Sequence, residues 1–177
     1  MIIYKDIFSG DELSSDSFPT QLVDDIIFEF KGKYVTRKEG EIVLAGSNPS
    51  AEEADEGTDE TVQRGVDIVL NHQLVEMPVY QNASVFKDWV KEYVKKLVDR
   101  LKADGMGDDE LKTFKTKIQG WVSSLLKKER FQNLQFFCGA GENAAEGQLA
   151  IMEYRSEGSE DIPYVMLVKQ GVHVEKC

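Results

Sequence analysis

The chain is poor in the residue types from which most metal centres and disulfide frameworks are built. Its 177 residues include only two histidines, two cysteines and four prolines. The cysteines, Cys138 and Cys177, lie far apart and form no CxxC pair, which argues against a paired-cysteine zinc site. This sparing use of cysteine is typical of proteins from a reducing compartment.

Motifs of nucleophilic, metal-assisted and nucleotide chemistry are also missing. The sequence contains no GxSxG elbow, no HExxH pair and no Walker loop. His72 and His173 are isolated, and a lone histidine at a strand end is usually structural or solvated. Cys138 lies in the apolar segment FFCGAG, where a buried and unreactive thiol is expected. We therefore predict that the protein is not an enzyme.

Long apolar runs and an excess of positive charge are absent too. The apolar start, MIIY, is followed at once by Asp6, Asp11 and Glu12, so it is too short for a secretory signal. Charged residues interrupt all the remaining apolar segments, which predicts a soluble, cytoplasmic protein without a membrane span. The net charge of −11 disfavours binding to nucleic acid phosphates. Solubility alone is a sufficient explanation for most of this acidity.

Apolar residues alternate near both ends of the chain, as they do in β-strands. The predicted strands are residues 1–4, 26–30, 34–36, 66–71, 131–138, 148–154, 164–169 and 172–175. A turn at residues 31–33 predicts that the strand at 34–36 returns against 26–30. Gln170 and Gly171 predict a tight hairpin between the last two strands. A length of 177 residues fits a single domain over 1–177.

An acidic segment interrupts the strand pattern. Residues 39–63 contain eight acidic residues and no basic one, with little apolar surface between them. Self-repulsion predicts a long mobile loop over 39–65. Ser50 precedes Ala51-Glu52-Glu53 and so resembles an acid-directed kinase site, although an unmodified loop serine is the equal alternative.

From residue 82 the apolar period becomes helical. The two apolar series run from Phe86 to Leu101 and from Leu111 to Leu126. Asn82 or Ser84 is the expected cap of the first helix. The break Asp104-Gly105-Met106-Gly107 ends it, with a glycine suited to the C-terminal cap, and Asp108 is the expected cap of the second helix. Two amphipathic helices joined by a short turn predict an antiparallel hairpin, inserted over 83–130 into the β-domain.

The hairpin is the cationic part of an acidic chain. Residues 83–130 carry +4, and because the whole chain carries −11, the other 129 residues carry −15. The candidate binding residues are Lys91, Lys95, Lys96 and Arg100. These side chains either form a solvated helix face or dock an acidic partner surface.

Five segments together resemble one known family. They are MIIYKDIFSGDE at the N-terminus, AGSNPSAEE at 45–53, GVDIVLNHQL at 65–74, FQNLQFF at 131–137 and the terminal EKC. Their order and spacing resemble the translationally controlled tumour protein family over essentially the whole chain. The resemblance implies an α+β fold: a twisted, mostly antiparallel β-domain similar to that of small Rab-associated exchange-factor or chaperone proteins. Those relatives bind zinc through paired cysteines, which this chain lacks, so no zinc is expected.

The resemblance also implies partners and site residues. The family is associated with tubulin, calcium, translation elongation factors, a small Ras-like GTPase, anti-apoptotic proteins and leaderless secretion. Its GTPase-facing surface corresponds here to Glu12, Leu74 and Glu142, and its tubulin and calcium binding to 83–130. The segment 22–30, which would serve anti-apoptotic partners, fits a strand better than a groove-binding helix.

Three functional hypotheses follow from the residues and the resemblance. The first is a non-enzymatic, multi-partner cytosolic binding protein. The second is a regulator of nucleotide exchange on a small Ras-like GTPase or an elongation factor. The third is a calcium buffer, in which the acids of 52–60 and 104–110 bind Ca²⁺ weakly and diffusely, without an EF-hand. The exposed terminal thiol of Cys177 predicts a monomer in reducing buffer and a disulfide dimer after oxidation.

Overall fold

The computed structural model describes residues 1–38, 41–42 and 63–177. This part of the chain forms twelve strands. They are β1 Ile2–Asp6, β2 Glu12–Ser15, β3 Thr20–Val23, β4 Ile27–Lys31, β5 Tyr34–Lys38, β6 Glu41–Ile42, β7 Gln63–Val66, β8 Val75–Glu76, β9 Gln135–Cys138, β10 Ala150–Glu157, β11 Glu160–Val168 and β12 Val172–Lys176. Its four α-helices are α1 Asp67–Asn71, α2 Ala83–Ala103, α3 Asp108–Leu125 and α4 Lys128–Phe131. The α+β class predicted from the sequence is confirmed.

The strands form three antiparallel sheets. The largest has six strands in the order β3-β4-β11-β10-β9-β8, and two three-stranded sheets have the orders β12-β1-β2 and β6-β5-β7. The long hairpin of β10 and β11 lies at the centre of the large sheet, with Met152 opposite Val165. The predicted strands near residues 1–4, 26–30 and 148–154 therefore exist within a few residues of their expected bounds.

Side chains alternate between the two faces of the large sheet, and both faces are buried. On β10, Ile151 packs into a cluster with the helical hairpin, whereas Met152 packs into a second cluster with β1 and β2. On β11, Met166 packs into the cluster with the helical hairpin, and Val165 packs into the cluster with β1 and β2. The six-stranded sheet thus separates two apolar cores, one of which includes the inner faces of α2 and α3.

The helical hairpin lies between β8 and β9, as predicted. The Asn82 side chain accepts hydrogen bonds from the backbone N–H groups of Ser84 and Val85, at 2.9 and 3.3 Å, and so caps α2. Gly105 adopts the left-handed region at φ 98° and ends α2 in a Schellman motif. Asp108 is the first residue of α3 rather than its cap; Gly107 holds that position and provides no side-chain bond.

Four further predictions of local structure are wrong. Residues 67–71 form α1 rather than a strand; Asp67 is its first residue, and its carboxylate accepts hydrogen bonds from the backbone N–H groups of Ile68 at 2.8 Å and Lys33 at 3.0 Å. The strand Tyr34–Lys38 pairs with β6 and β7 and does not return against β4. Residues 169–171 form a 3₁₀ turn that carries the chain from the large sheet to β12, which pairs with β1. The predicted strand at 131–138 begins only at Gln135, after α4.

Two segments of the predicted acidic loop are structured. Residues 41–42 and 63–65 belong to strands β6 and β7, so these positions of the loop predicted over 39–65 are strand instead. Its remaining positions, which include Ser50, lie outside the described residues. Among the helices of the described ranges, none is long and apolar enough to cross a membrane.

Candidate functional site

A small cleft opens where three distant segments of the chain meet. It encloses about 290 Å³ and is lined by Asp11, Glu12, Asn71, His72, Gln73 and Ala140. These residues come from the start of β2, the end of α1 and the loop after β9. We call this feature the N-terminal cleft.

Asp11 connects two of the three segments. Its Oδ1 accepts a hydrogen bond from the backbone N–H of Gly141 at 3.1 Å. Its side chain lies so close to Gly139 that a Cβ at that position would overlap with the carboxylate. The loop after β9 therefore reaches the N-terminal segment only because Gly139 has no side chain.

The third segment is shaped by a turn after α1. Gln73 has a left-handed backbone, with φ 54°, and the backbone N–H of Leu74 donates to the carbonyl of Val69 at 3.0 Å. Leu74 is 7% exposed and belongs to the core cluster shared by β1 and β2. It was predicted to face a partner, but in this conformation it anchors the turn and exposes almost none of its side chain.

His72 forms one wall of the cleft. Its half-buried ring packs edge-on against Phe18, with centroids 6.1 Å apart. Burial lowers the pKa of His72, and the nearby carboxylate of Glu12 partly opposes this shift. The imidazole is therefore neutral at pH 7, and the charge of the cleft is that of its two acids. Among the described residues, His72 Nε2 and Asp11 Oδ2 have no hydrogen-bond partner.

Of the predicted β-domain residues Glu12, Leu74 and Glu142, only Glu12 lines the cleft. Glu12 is exposed at the mouth of the cleft. Glu142 is also exposed, in the loop two positions beyond Ala140. Asp11 and His72, which shape the site, were not identified from the sequence. The close approach of Asp11 to Gly139 joins residues 128 positions apart, and no local pattern reveals such a contact.

A second, larger recess runs along the outer face of the helical hairpin. It encloses about 620 Å³ between α2 and α3. Its floor consists of Val90, Val94, Val98, Ile118 and Val122. Four lysines line its sides: Lys87, Lys91, Lys95 and Lys115. We call this feature the hairpin groove.

The basic residues predicted to act together on the hairpin are divided between two faces. Lys91 and Lys95 line the groove. Lys96 instead faces the β-domain, where its Nζ donates to the backbone carbonyl of Glu146 at 2.7 Å and bonds the Glu146 carboxylate at 3.0 Å. The same ammonium lies 4.2 Å from the ring centre of Phe8. Lys96 therefore links the hairpin to the 3₁₀ turn before β10 and to Phe8, and it does not line the groove.

Arg100 also belongs to the inner side of the hairpin. Its Nε donates to Asp104 at 3.2 Å, in an i to i+4 ion pair, and its guanidinium lies 5.9 Å from the Phe8 ring. The sequence assigned Val90, Val94 and Val98 to the core stripe, and the structure confirms that they pack against the core. That they also line a groove was not identified, because the groove forms only where α2 and α3 lie side by side.

Comparison with known proteins identifies the family. The family model for translationally controlled tumour protein matches residues 1–173. The chain belongs to the translationally controlled tumour protein family. A homologue from Trichinella pseudospiralis is 62% identical over 177 residues, and one from Caenorhabditis elegans is 58% identical over 181 residues. Each of these alignments covers the whole of both chains.

Solved structures of translationally controlled tumour proteins share this fold. The solution structure of the Caenorhabditis elegans protein superposes with a TM-score of 0.77 at 57% identity, covering 100% of this chain and 99% of that one. The protein p23fyp from Schizosaccharomyces pombe gives a TM-score of 0.76 at 30% identity, with full coverage of both chains.

The two cysteines of this family member differ in exposure. Cys177 is exposed, and Cys138 is half-buried. Burial raises the pKa of the Cys138 thiol, and the charge of Asp11 adds to the shift. Within residues 1–38, 41–42 and 63–177, no group of three or more His, Cys, Asp or Glu side chains could hold a metal ion. The acids of 104–110 thus form no such group, and those of 52–60 lie outside the described residues.

Proposed function

We propose that this family member is a non-enzymatic, cytoplasmic binding protein that uses two surfaces of opposite charge for different partners. The N-terminal cleft would bind a small Ras-like GTPase or a translation elongation factor through Glu12. The hairpin groove would bind acidic surfaces, such as the tails of tubulin. Complementary charge favours encounter and register with the correct partner and disfavours the wrong one.

The observation that carries this proposal is the separation of charge between the two features. The N-terminal cleft contains two carboxylates, Asp11 and Glu12, beside a histidine that is neutral at pH 7. The hairpin groove contains four lysines and one acid, Asp99. A partner suited to one surface is electrostatically unsuited to the other, which supports an adaptor with distinct partner sets.

Affinity capture from cytosol at physiological salt, read by mass spectrometry, tests this division. We would compare the wild type, Glu12→Lys, and the double variant Lys91→Glu/Lys95→Glu. Lys96 is left unchanged because its contacts with Glu146 and Phe8 hold the hairpin in place. Lys102→Glu/Lys112→Glu is the matched control, since both lysines are exposed on the hairpin but do not line the groove.

The proposal expects GTPases or elongation factors to be lost only with Glu12→Lys, and tubulin only with Lys91→Glu/Lys95→Glu. The control should capture the wild-type set. If neither surface variant changes the captured proteins, both assignments are wrong. Anti-apoptotic partners stay a prediction; the segment proposed for them, 22–30, spans strands β3 and β4 rather than a helix.

Regulation of nucleotide exchange is the second candidate, and the exposure of Glu12 at the mouth of an open cleft favours it. Exchange requires no acid–base residue, only a surface that stabilises the nucleotide-free GTPase. A fluorescent-nucleotide release assay with saturating protein tests this directly. An unchanged release rate would exclude exchange activity for the GTPase tested.

For the third candidate, calcium buffering, calorimetry at millimolar Ca²⁺ should show a heat of binding.

A further inference from the structure

We propose that the hairpin groove binds an amphipathic, acidic α-helix of a partner protein, about three turns long. The inference rests on the proposed function of the hairpin as the site for acidic partners and specifies the form of that partner. Two features of the groove support it: an apolar floor, which a disordered acidic tail would not use, and a regular row of lysines along one side.

The floor is the outer edge of the apolar stripe that packs on the core, where the side chains keep part of their surface exposed. Val90, Val94 and Val98 occupy every fourth position of α2 and are only half-buried, whereas Phe86 and Leu97 on the inner face are fully buried. On α3, Val122 is also half-buried. Binding that covers these side chains would remove their remaining apolar surface from water. Helix-in-groove complexes provide this cover through anchors at i, i+3, i+4 and i+7.

The length of the groove sets the length of its ligand. On α2 it extends from Lys87 to Asp99, which at 1.5 Å per residue is about 18 Å. A helix of about 12 residues spans this distance, which corresponds to slightly more than three turns. A short, folded segment of a partner therefore suffices to fill the groove.

The charges specify an acidic ligand. Lys87, Lys91 and Lys95 recur every fourth residue along α2, and Lys115 lies on α3 across the groove. With Asp99, the lining carries +3. In the part of the chain that the structure describes, none of the four lysines is within ion-pair distance of a carboxylate, in contrast to Lys96. Glutamates at every fourth position of a bound helix would match the row on α2.

The same charges disfavour a second copy of this chain as the occupant. Two hairpin grooves facing each other would bring two sets of lysines together, and the hairpin as a whole carries +4. Like charges placed opposite each other oppose association. An extended acidic tail would satisfy the lysines but leave the valine floor in water. A helix with an apolar stripe and acidic flanks satisfies both parts of the groove.

A designed peptide tests the inference on the full-length protein. The probe is a fluorescein-labelled 14-residue peptide with leucines at i, i+3, i+4 and i+7 and glutamates on its flanks. One control peptide has the same composition, with the leucines scrambled so that they share no helical face. A second control is a 14-residue glutamate peptide without leucine. Binding is measured by fluorescence anisotropy at physiological salt.

Two protein variants locate the binding. Lys91→Glu/Lys95→Glu reverses two charges of the row, and Ser123→Trp places a large ring at an exposed position that lines the groove. Each should weaken binding of the amphipathic peptide by about tenfold or more, equivalent to about 1.4 kcal/mol. The control Lys102→Glu/Lys112→Glu should bind within about twofold of the wild type. Far-UV circular dichroism of each variant verifies its fold.

The outcomes separate the inference from the proposed function. Tighter binding of the amphipathic peptide than of both controls, lost in both groove variants, supports the inference. Equal binding of the glutamate peptide would overturn it while leaving an acidic-tail site in place. Failure of all three peptides, with tubulin capture still sensitive to Lys91→Glu/Lys95→Glu, would also overturn only the inference. Peptide binding that is unchanged in Ser123→Trp would overturn the inference by placing the peptide outside the groove. Self-association that rises with protein concentration and is abolished in the groove variants would overturn it by assigning the groove to a second copy of the chain.

Discussion

Asp11 illustrates how one side chain positions a whole loop. Its carboxylate accepts the backbone N–H of Gly141 and occupies the space beside Gly139. Both glycines belong to the short sequence Gly-Ala-Gly after β9, and their lack of side chains makes room for this carboxylate. The shape of the N-terminal cleft therefore depends on Gly139 and Gly141, neither of which has to contact a partner.

We predict that Gly139→Ala destabilises the protein. The added methyl group would overlap with Asp11, and such overpacking costs about 1–3 kcal/mol. Urea unfolding followed by circular dichroism measures the change. Gly120→Ala is the matched control, because open space surrounds this exposed position of α3 and alanine there should stabilise the helix by about 0.5–1 kcal/mol. An unchanged free energy of unfolding in Gly139→Ala would show that the Asp11 side chain can move aside at little cost.

The titration of His72 reports on the charge at Glu12. Burial lowers the pKa of His72, and the Glu12 carboxylate raises it. Glu12→Gln should therefore lower the pKa of His72 further, as measured by NMR titration of the imidazole. The native pKa of His72 lies below the ordinary 6.5, so the unfolded chain binds a proton at this position more readily than the folded chain. The stability of the fold should therefore decrease as pH falls from 6.5 towards the native pKa. An unchanged pKa in Glu12→Gln would place Glu12 too far away to influence the cleft.

At the scale of elements, two arginines attach α4 and the strands of the large sheet to one another. Arg130 of α4 donates to both carboxylate oxygens of Glu153 on β10, at 2.9 Å each. Arg155 of β10 donates to both oxygens of Glu29 on β4 and also to Glu153. Glu29 and Glu153 are each 7% exposed, so these bonds compensate two buried charges.

We predict that Arg155→Leu lowers the free energy of unfolding by about 3 kcal/mol at pH 7, because it leaves Glu29 buried without its main partner. The hydrogen bonds of Arg155 lower the pKa of Glu29 below 4.5. For Glu153, burial acts to raise the pKa, but Arg130 and Arg155 outweigh it.

The pH dependence of the Arg155→Leu effect follows from these directions. A carboxylate with a lowered native pKa stabilises the fold above its ordinary pKa, and this stability is lost as pH falls through the native value. The difference in the free energy of unfolding between the wild type and Arg155→Leu should thus be largest at pH 7 and should decrease below about pH 4.5. Lys31→Met, which removes an exposed ion pair with Glu157, should leave unfolding unchanged in the same urea titration.

At the scale of the whole molecule, the helical hairpin and the large sheet share one apolar core. Phe86, Leu97 and Ile118 of the hairpin pack in the same cluster as Ile151 and Met166 of the sheet. Lys96 and Lys117 add polar contacts to Glu146 and to the carbonyl of Asp24. The hairpin is therefore inserted in sequence but is not independent in packing.

This shared core predicts cooperative unfolding. Both tryptophans, Trp89 and Trp121, lie on the hairpin and pack against this core. Ile151→Ala, on β10 and 2% exposed, should destabilise the protein by about 2–5 kcal/mol. Its urea transition should shift equally by tryptophan fluorescence and by far-UV circular dichroism. A fluorescence transition that stays at the wild-type urea concentration would show that the hairpin unfolds separately.

The location of the two thiols predicts how the molecule responds to oxidation. Cys177 is exposed at the end of the chain, whereas burial and Asp11 raise the pKa of Cys138 and so keep it protonated. On non-reducing gels after oxidation, Cys138→Ser should still form the dimer and Cys177→Ser should not. A dimer that persists in Cys177→Ser would assign the crosslink to Cys138.

The sequence by itself determined the features that depend on neighbouring residues. Helical periodicity located the hairpin, Asn82 or Ser84 and the glycine-rich residues 104–107 marked the two ends of its first helix, and the composition gave its positive charge. These signals are local, since capping and periodicity involve residues within about four positions of each other. The exposed position of Glu12 was expected in the same way, from a resemblance carried by an uninterrupted segment.

Only the tertiary structure decided which segments meet. Strand pairing joins residues far apart in the chain, so the sequence predicted the strands at 34–36 and 172–175 but assigned both to the wrong neighbours. The sequence placed Val94 in the apolar series of the first helix, and the structure confirms that Val94 packs against the core while it also lines the hairpin groove. The sequence also grouped Lys96 with Lys91 and Lys95 as one binding surface. In the structure Lys96 instead contacts Glu146 and Phe8, because only one face of the helix packs on the β-domain.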